Sequence, residues 1–99
     1  MERFSSRGID ELGKIVLHFD IRQRLGLESG DKVSLTPIDN LIILRKAADG
    51  SESDCFASQM DDLGRIELPR ELRQKFDWKE KDRVAVYNTD KIVILKSAS

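Results

Sequence analysis

Residues 10–17 of this chain, Asp-Glu-Leu-Gly-Lys-Ile-Val-Leu, return at residues 61–68 as Asp-Asp-Leu-Gly-Arg-Ile-Glu-Leu. The correspondence continues without a gap to Lys46 and Ser97, at a constant offset of 51. Asp10/Asp61, Leu12/Leu63, Gly13/Gly64, Ile15/Ile66, Leu17/Leu68, Arg22/Arg73, Gln23/Gln74, Asp31/Asp82 and Val33/Val84 are identical pairs. Lys14/Arg65, Ile21/Leu72 and Lys32/Arg83 exchange like for like. A repeated unit of this size is one supersecondary element that cannot bury its own apolar face, so two copies are expected to bury theirs against each other. The chain has 99 residues. A domain that small buries only about 60–65% of its unfolded surface, which favours one shared core over two of under fifty residues each.

The chain divides into an arm at residues 1–6, a first copy at 7–46, a junction at 47–57 and a second copy at 58–97. The junction is small and acidic, with Gly and Ser between Asp49, Glu52 and Asp54. Each copy reads as strand, turn, strand, short helix, strand, turn, strand (ββαββ). The first strands fall near Arg7–Ile9 and Ser58–Met60. Gly13 and Gly64 suit positive φ in a turn, with Asp10 and Asp61 supplying carboxylates for the turn amides. Asp31 and Asp82 suit the same role ahead of their strands. Lys14–Leu17 and Arg65–Leu68 follow as strands. Pro69 is expected to open the second helix, with Glu71 in its first turn and Arg73 and Lys75 in its last. Gly26 closes the first helix. Leu41–Leu44 and Ile92–Leu95 are apolar throughout, the pattern of strands covered on both faces. Trp78 stands where Leu27 stands in the first copy and is read as packing.

Charged residues make up 35% of the chain, yet the net charge is −1, so any polyanion site has to be a local basic patch. The one cysteine, Cys55, excludes an internal disulfide and suits a reducing cytoplasm. No apolar run approaches the roughly 20 residues that cross a bilayer, and the start of the chain lacks an apolar signal core. No membrane role is expected. The single histidine, His18, has no second His or Cys to complete a metal site, and Cys55 has no partner base for nucleophilic catalysis. An enzyme, a metal centre and a cofactor are therefore not expected. Phe4, Phe56 and Tyr87 are too scattered for a base-stacking platform.

At Arg7-Gly8-Ile9-Asp10-Glu11-Leu12-Gly13-Lys14-Ile15-Val16-Leu17, Ile21-Arg22-Gln23, Leu25-Gly26-Leu27 and Gly30-Asp31-Lys32-Val33, the chain resembles the AbrB/SpoVT swapped-hairpin family of transcription regulators. Asp61 to Arg73 repeats the match, and the resemblance covers about nine-tenths of the chain. It implies a mainly β fold with short helices, a swapped-hairpin β-barrel built from two tandem, pseudo-symmetric copies. The tandem layout is similar to that of the MraZ family, whose Asp-x-x-x-Arg signature fits Asp61 and Arg65. Family function implies duplex DNA as the partner, contacted by Arg7, Lys14 and Arg22 in the first copy and Arg65 and Arg73 in the second. Arg24, Arg70 and Lys75 join them as nearby basic residues. Gln23 and Gln74 stand where a second basic residue is common in the family, and Ser58 stands where Arg7 would repeat, so the halves are expected to be unequal. The alternative for all these cations is a solvated surface paired with Asp20, Glu71, Asp61 and Asp62. The rival function is an antitoxin-like or oligomerising module with a protein partner, and pairing of further copies through a strand edge stays open.

Overall fold

Among the described residues, alternating apolar and polar stretches broken by positive-φ turns form eight strands, and two short segments of helical spacing form helices. The computed structural model describes residues 3–47 and 56–98. In order these are β1 (Arg3–Gly8), β2 (Lys14–Val16), α1 (Phe19–Leu25), β3 (Lys32–Ile38), β4 (Leu41–Lys46), β5 (Phe56–Gln59), β6 (Arg65–Glu67), α2 (Arg70–Phe76), β7 (Arg83–Asn88) and β8 (Val93–Ser97). The fold is mainly β with two short helices. Cys55 and most of the acidic junction lie outside the described residues.

Six strands form one antiparallel sheet in the order β1-β7-β8-β4-β3-β5, and β2 pairs with β6 in a separate two-stranded ribbon. Each outer strand therefore lies on the hairpin of the other half: β1 on β7, β5 on β3. The two hairpins meet at β4 and β8 in the middle. The ribbon also draws one strand from each half, with Ile15 opposite Ile66.

The expected closed barrel is not what forms. Strands β1 and β5 end the sheet without pairing to each other. The glycine turns at Gly13 and Gly64, with φ of 77° and 76°, lead the chain out of β1 and β5 into the ribbon. The ribbon takes the place where closure would occur, tied to the sheet by the Met60–Ile66 bridge. Two boundaries also differ from expectation. Part of the arm is strand, since β1 starts at Arg3 and pairs along its whole length with β7. Similarly, Phe56 and Ala57 belong to β5 rather than to the junction.

The core is one continuous cluster drawn from both halves. Its members match across the repeat: Ile9 with Met60, Ile15 with Ile66, Leu17 with Leu68, Ile21 with Leu72, Leu27 with Trp78, Leu35 with Val86, Leu44 with Leu95. Each such side chain, fully buried, contributes about 1.5–3 kcal/mol of transfer free energy. The Cα radius of gyration, 12.2 Å, is that of a single domain of about 100 residues. Strands β4 and β8 bury Ile42, Leu44, Val93 and Leu95 on one face, while Ile43 and Ile94 on the other are only half-buried, so the central strands are not covered on both sides. Trp78 packs in the core against Phe76, ring centroids 5.0 Å apart.

Both helices are seven residues long and end alike. Gly26 and Asp77 take left-handed backbone, and the next amide returns to the helix: Leu27 N–H to Arg22 O and Trp78 N–H to Arg73 O, both 2.8 Å. Pro69 is the residue before α2 rather than its first turn, and His18 holds the matching place before α1. No helix among the described residues is long and apolar enough to cross a membrane.

Candidate nucleic-acid interface

The site grows from two turns. Asp10 Oδ1 accepts the N–H groups of Leu12 and Lys14, each at 2.9 Å. Asp61 Oδ1 does the same for Leu63 and Arg65, again at 2.9 Å. Each carboxylate thus fixes its own loop, the role turn chemistry gives to Asp here. The second oxygens face the ribbon. Lys14 Nζ reaches Asp61 Oδ2 at 3.2 Å, Arg65 Nε reaches the same oxygen at 2.7 Å, and Arg65 Nη1 reaches Asp10 Oδ2 at 3.2 Å. Two cations and two anions form a neutral quartet that ties the halves together.

The carboxyls register this. Partial loss of water pushes Asp61 up, but hydrogen bonds from the Arg65 N–H, the Arg65 guanidinium, the Leu63 N–H and Lys14 outweigh it. The result lies well below the ordinary value of 3.8. Asp10 follows the same balance more mildly, with the Lys14 and Leu12 amides and then Arg65 overcoming desolvation.

Beside the quartet sit two arginines, each held by a backbone carbonyl. The Leu17 N–H donates to Gly64 O at 3.0 Å, and Leu17 O accepts Arg22 Nε at 3.0 Å. In the other half Leu68 N–H donates to Gly13 O at 2.9 Å, and Leu68 O accepts Arg73 Nε at 2.8 Å. One residue therefore registers a helix arginine against the opposite loop. The approach is close enough that a Cβ on Gly64 would lie 2.8 Å from Arg22 Cζ, and one on Gly13 2.7 Å from Arg73 Cζ. Positive φ favours glycine at both positions, and a Cβ there would push the arginine tip aside. With Nε committed to a carbonyl, the terminal NH2 groups remain as donors. Neither arginine has a carboxylate partner among the described residues.

The chain matches no known family profile and no curated protein. Among solved structures, the solution structure of PHS018 from Pyrococcus horikoshii is similar over 94% of this chain and 86% of that one, with a TM-score of 0.56 at 18% sequence identity. At that identity the likeness speaks for the fold alone.

The remaining candidates scatter. Arg24 Nη1 pairs with Asp90 in the β7–β8 turn at 2.9 Å. Two residues along a helix is about 200° of rotation, so Arg24 and Lys75 sit on other flanks than Arg22 and Arg73. Lys75 lines a cleft with Asp39, Asn40 and Trp78. Arg70 is exposed at the start of α2, one turn from Arg73. Arg7 is half-buried in β1, its Nε enclosed with no hydrogen-bond partner. The surface thus brings together Arg22, Arg73, Lys14 and Arg65, with Arg70 at its margin, and leaves Arg7, Arg24 and Lys75 apart.

Sequence reading overlooked three apolar neighbours of these arginines. Phe19 is 56% exposed, with the Arg22 guanidinium 5.6 Å from its ring centroid. Leu12 and Leu63 are 55% and 67% exposed at the loop tips. The available signal was an identical leucine in the middle of each otherwise polar turn.

Proposed function

We propose that the chain is a DNA-binding transcription regulator of the AbrB/SpoVT type, its two ββαββ copies in a swapped-hairpin arrangement. The observation that carries the reading is the pair Arg22 and Arg73: two repeat-related guanidinium groups, each pinned by one backbone carbonyl over the opposite loop and, among the described residues, free of carboxylates. Pinning removes the rotamer entropy that a phosphate contact would otherwise cost, and guanidinium suits phosphate geometry. Lys14 and Arg65 are spent on Asp10 and Asp61 and act as framework for the loops rather than as the main phosphate ligands. Affinity comes from a few phosphates, and sequence preference from groove shape and flexibility. A cytoplasmic location accompanies this reading.

Binding to a mixed-sequence duplex, measured at several salt concentrations, tests it. Each phosphate neutralised contributes about 0.9 to the log–log slope, so Arg22→Ala combined with Arg73→Ala lowers the slope by about 1.8 with the fold intact. An unchanged slope rejects the assignment of these residues. No binding at any salt rejects DNA and leaves the protein-partner module, which the exposed Phe19, Leu12 and Leu63 would suit.

A further inference from the structure

We propose that Leu12 and Leu63 are wedges that enter the minor groove of a DNA duplex and open a base step, bending it. This rests on the DNA-binding reading above and assigns it a mode of contact.

Five large apolar side chains are exposed among the described residues: Leu12, Val16, Phe19, Ile38 and Leu63. Scattered exposure of this kind is ordinary. Three of the five are not preserved by the repeat, since Val16, Phe19 and Ile38 correspond to Glu67, Arg70 and Thr89. Only the loop leucine is apolar and exposed in both halves. Neither copy gains core burial from it, although Leu17 and Leu68, five residues on, are fully buried. The tips are also rigid. Each leucine amide is held by the aspartate two residues before it, and each following glycine carbonyl is held by a leucine of the other half.

The neighbours say what such a tip meets. Next to Leu63 lies Gly64 with the Arg22 guanidinium against it; next to Leu12 lies Gly13 with Arg73. A partner must accept an apolar side chain and, beside it, a fixed guanidinium with no counter-ion among the described residues. A duplex offers both, with stacked bases inside a groove walled by phosphates. Apolar wedges flanked by arginine are a recognised way of unstacking a step in the minor groove. Of the acids nearest the tips, Asp10 and Asp61 are balanced by Lys14 and Arg65, while Asp62 and Glu11 keep their charge. Asp62 is drawn aside by Ser29 Oγ. Glu11 is exposed beside Leu12 and limits affinity rather than geometry.

The test uses the full chain and two duplexes with fluorophores at their ends and 2-aminopurine at the central step. One duplex has a flexible TA step there, and the other a stiff A-tract. The wild type binds the TA duplex more tightly, brings its ends closer and raises the 2-aminopurine signal. Leu12→Ala with Leu63→Ala, two exposed substitutions that leave the core untouched, keeps the salt slope. The variant loses the bend and the signal, and its preference for the TA duplex falls by about tenfold. A double variant that bends and unstacks as the wild type does overturns the wedge while DNA binding stands. A wild type that binds neither duplex overturns both.

Discussion

A single carbonyl decides where each site arginine goes. Leu17 O holds Arg22 and Leu68 O holds Arg73, and each leucine is itself anchored to the opposite glycine. Two glycines separate the contributions. Gly26 has φ of 68° with nothing near its missing Cβ, so Gly26→Ala carries only the left-handed penalty, about 1 kcal/mol. Gly64→Ala carries the same penalty and also displaces the Arg22 guanidinium from its carbonyl, so chemical denaturation will show a somewhat larger loss. Under the proposed DNA-binding role its salt slope will also fall, and the slope of Gly26→Ala will not. Asp61 supplies a prediction in pH. Its folded pKa is depressed, so its contribution is complete above the unfolded value of about 3.9 and is lost as pH falls toward the lower folded value. Urea midpoints of the wild type will therefore drop below about pH 4. Asp61→Asn will start lower at neutral pH and fall less steeply with acid.

At the scale of elements, the repeat made most of the chain legible. Helix ends, the glycine turns and the β3–β4 and β7–β8 hairpins all depend on chemistry within a few residues, and they form where Gly26, Gly13, Gly64 and the two hairpin turns put them. Partner choice did not show in the sequence. Pairing of β1 with β7, or of β2 with β6, joins residues distant in the chain and leaves no mark on local periodicity. Closure failed as an expectation for the same reason, because ribbon and sheet edges compete for identical backbone groups. The arginines were readable as basic helix positions. The neutralising of Lys14 and Arg65 was legible in part: Asp61 was the alternative partner and lies four residues before Arg65, whereas the reach of Lys14 to Asp61 and of Arg65 to Asp10 is set by the ribbon's register. The copies also differ in backbone cost. Lys81 has φ of 75° where the first copy has Gly30 at 88°, a strain that lysine has no local side-chain bond to relieve. Lys81→Gly will stabilise the protein by about 1 kcal/mol in denaturant titrations.

On the scale of the whole molecule, everything functional depends on the halves being interlocked. Each loop is braced by the other half's backbone, each arginine rests on the other half's glycine, and the core draws on both halves. Neither half by itself contains a finished site or a finished sheet. The most direct measurement is the molar mass of the protein in native buffer after its junction, residues 48–55, has been cut at an introduced protease site. The interlocked fold predicts that both halves stay together as a single folded particle with the mass of the intact chain and come apart only in denaturant. Two folded monomers of half that mass, separating without denaturant, would contradict it.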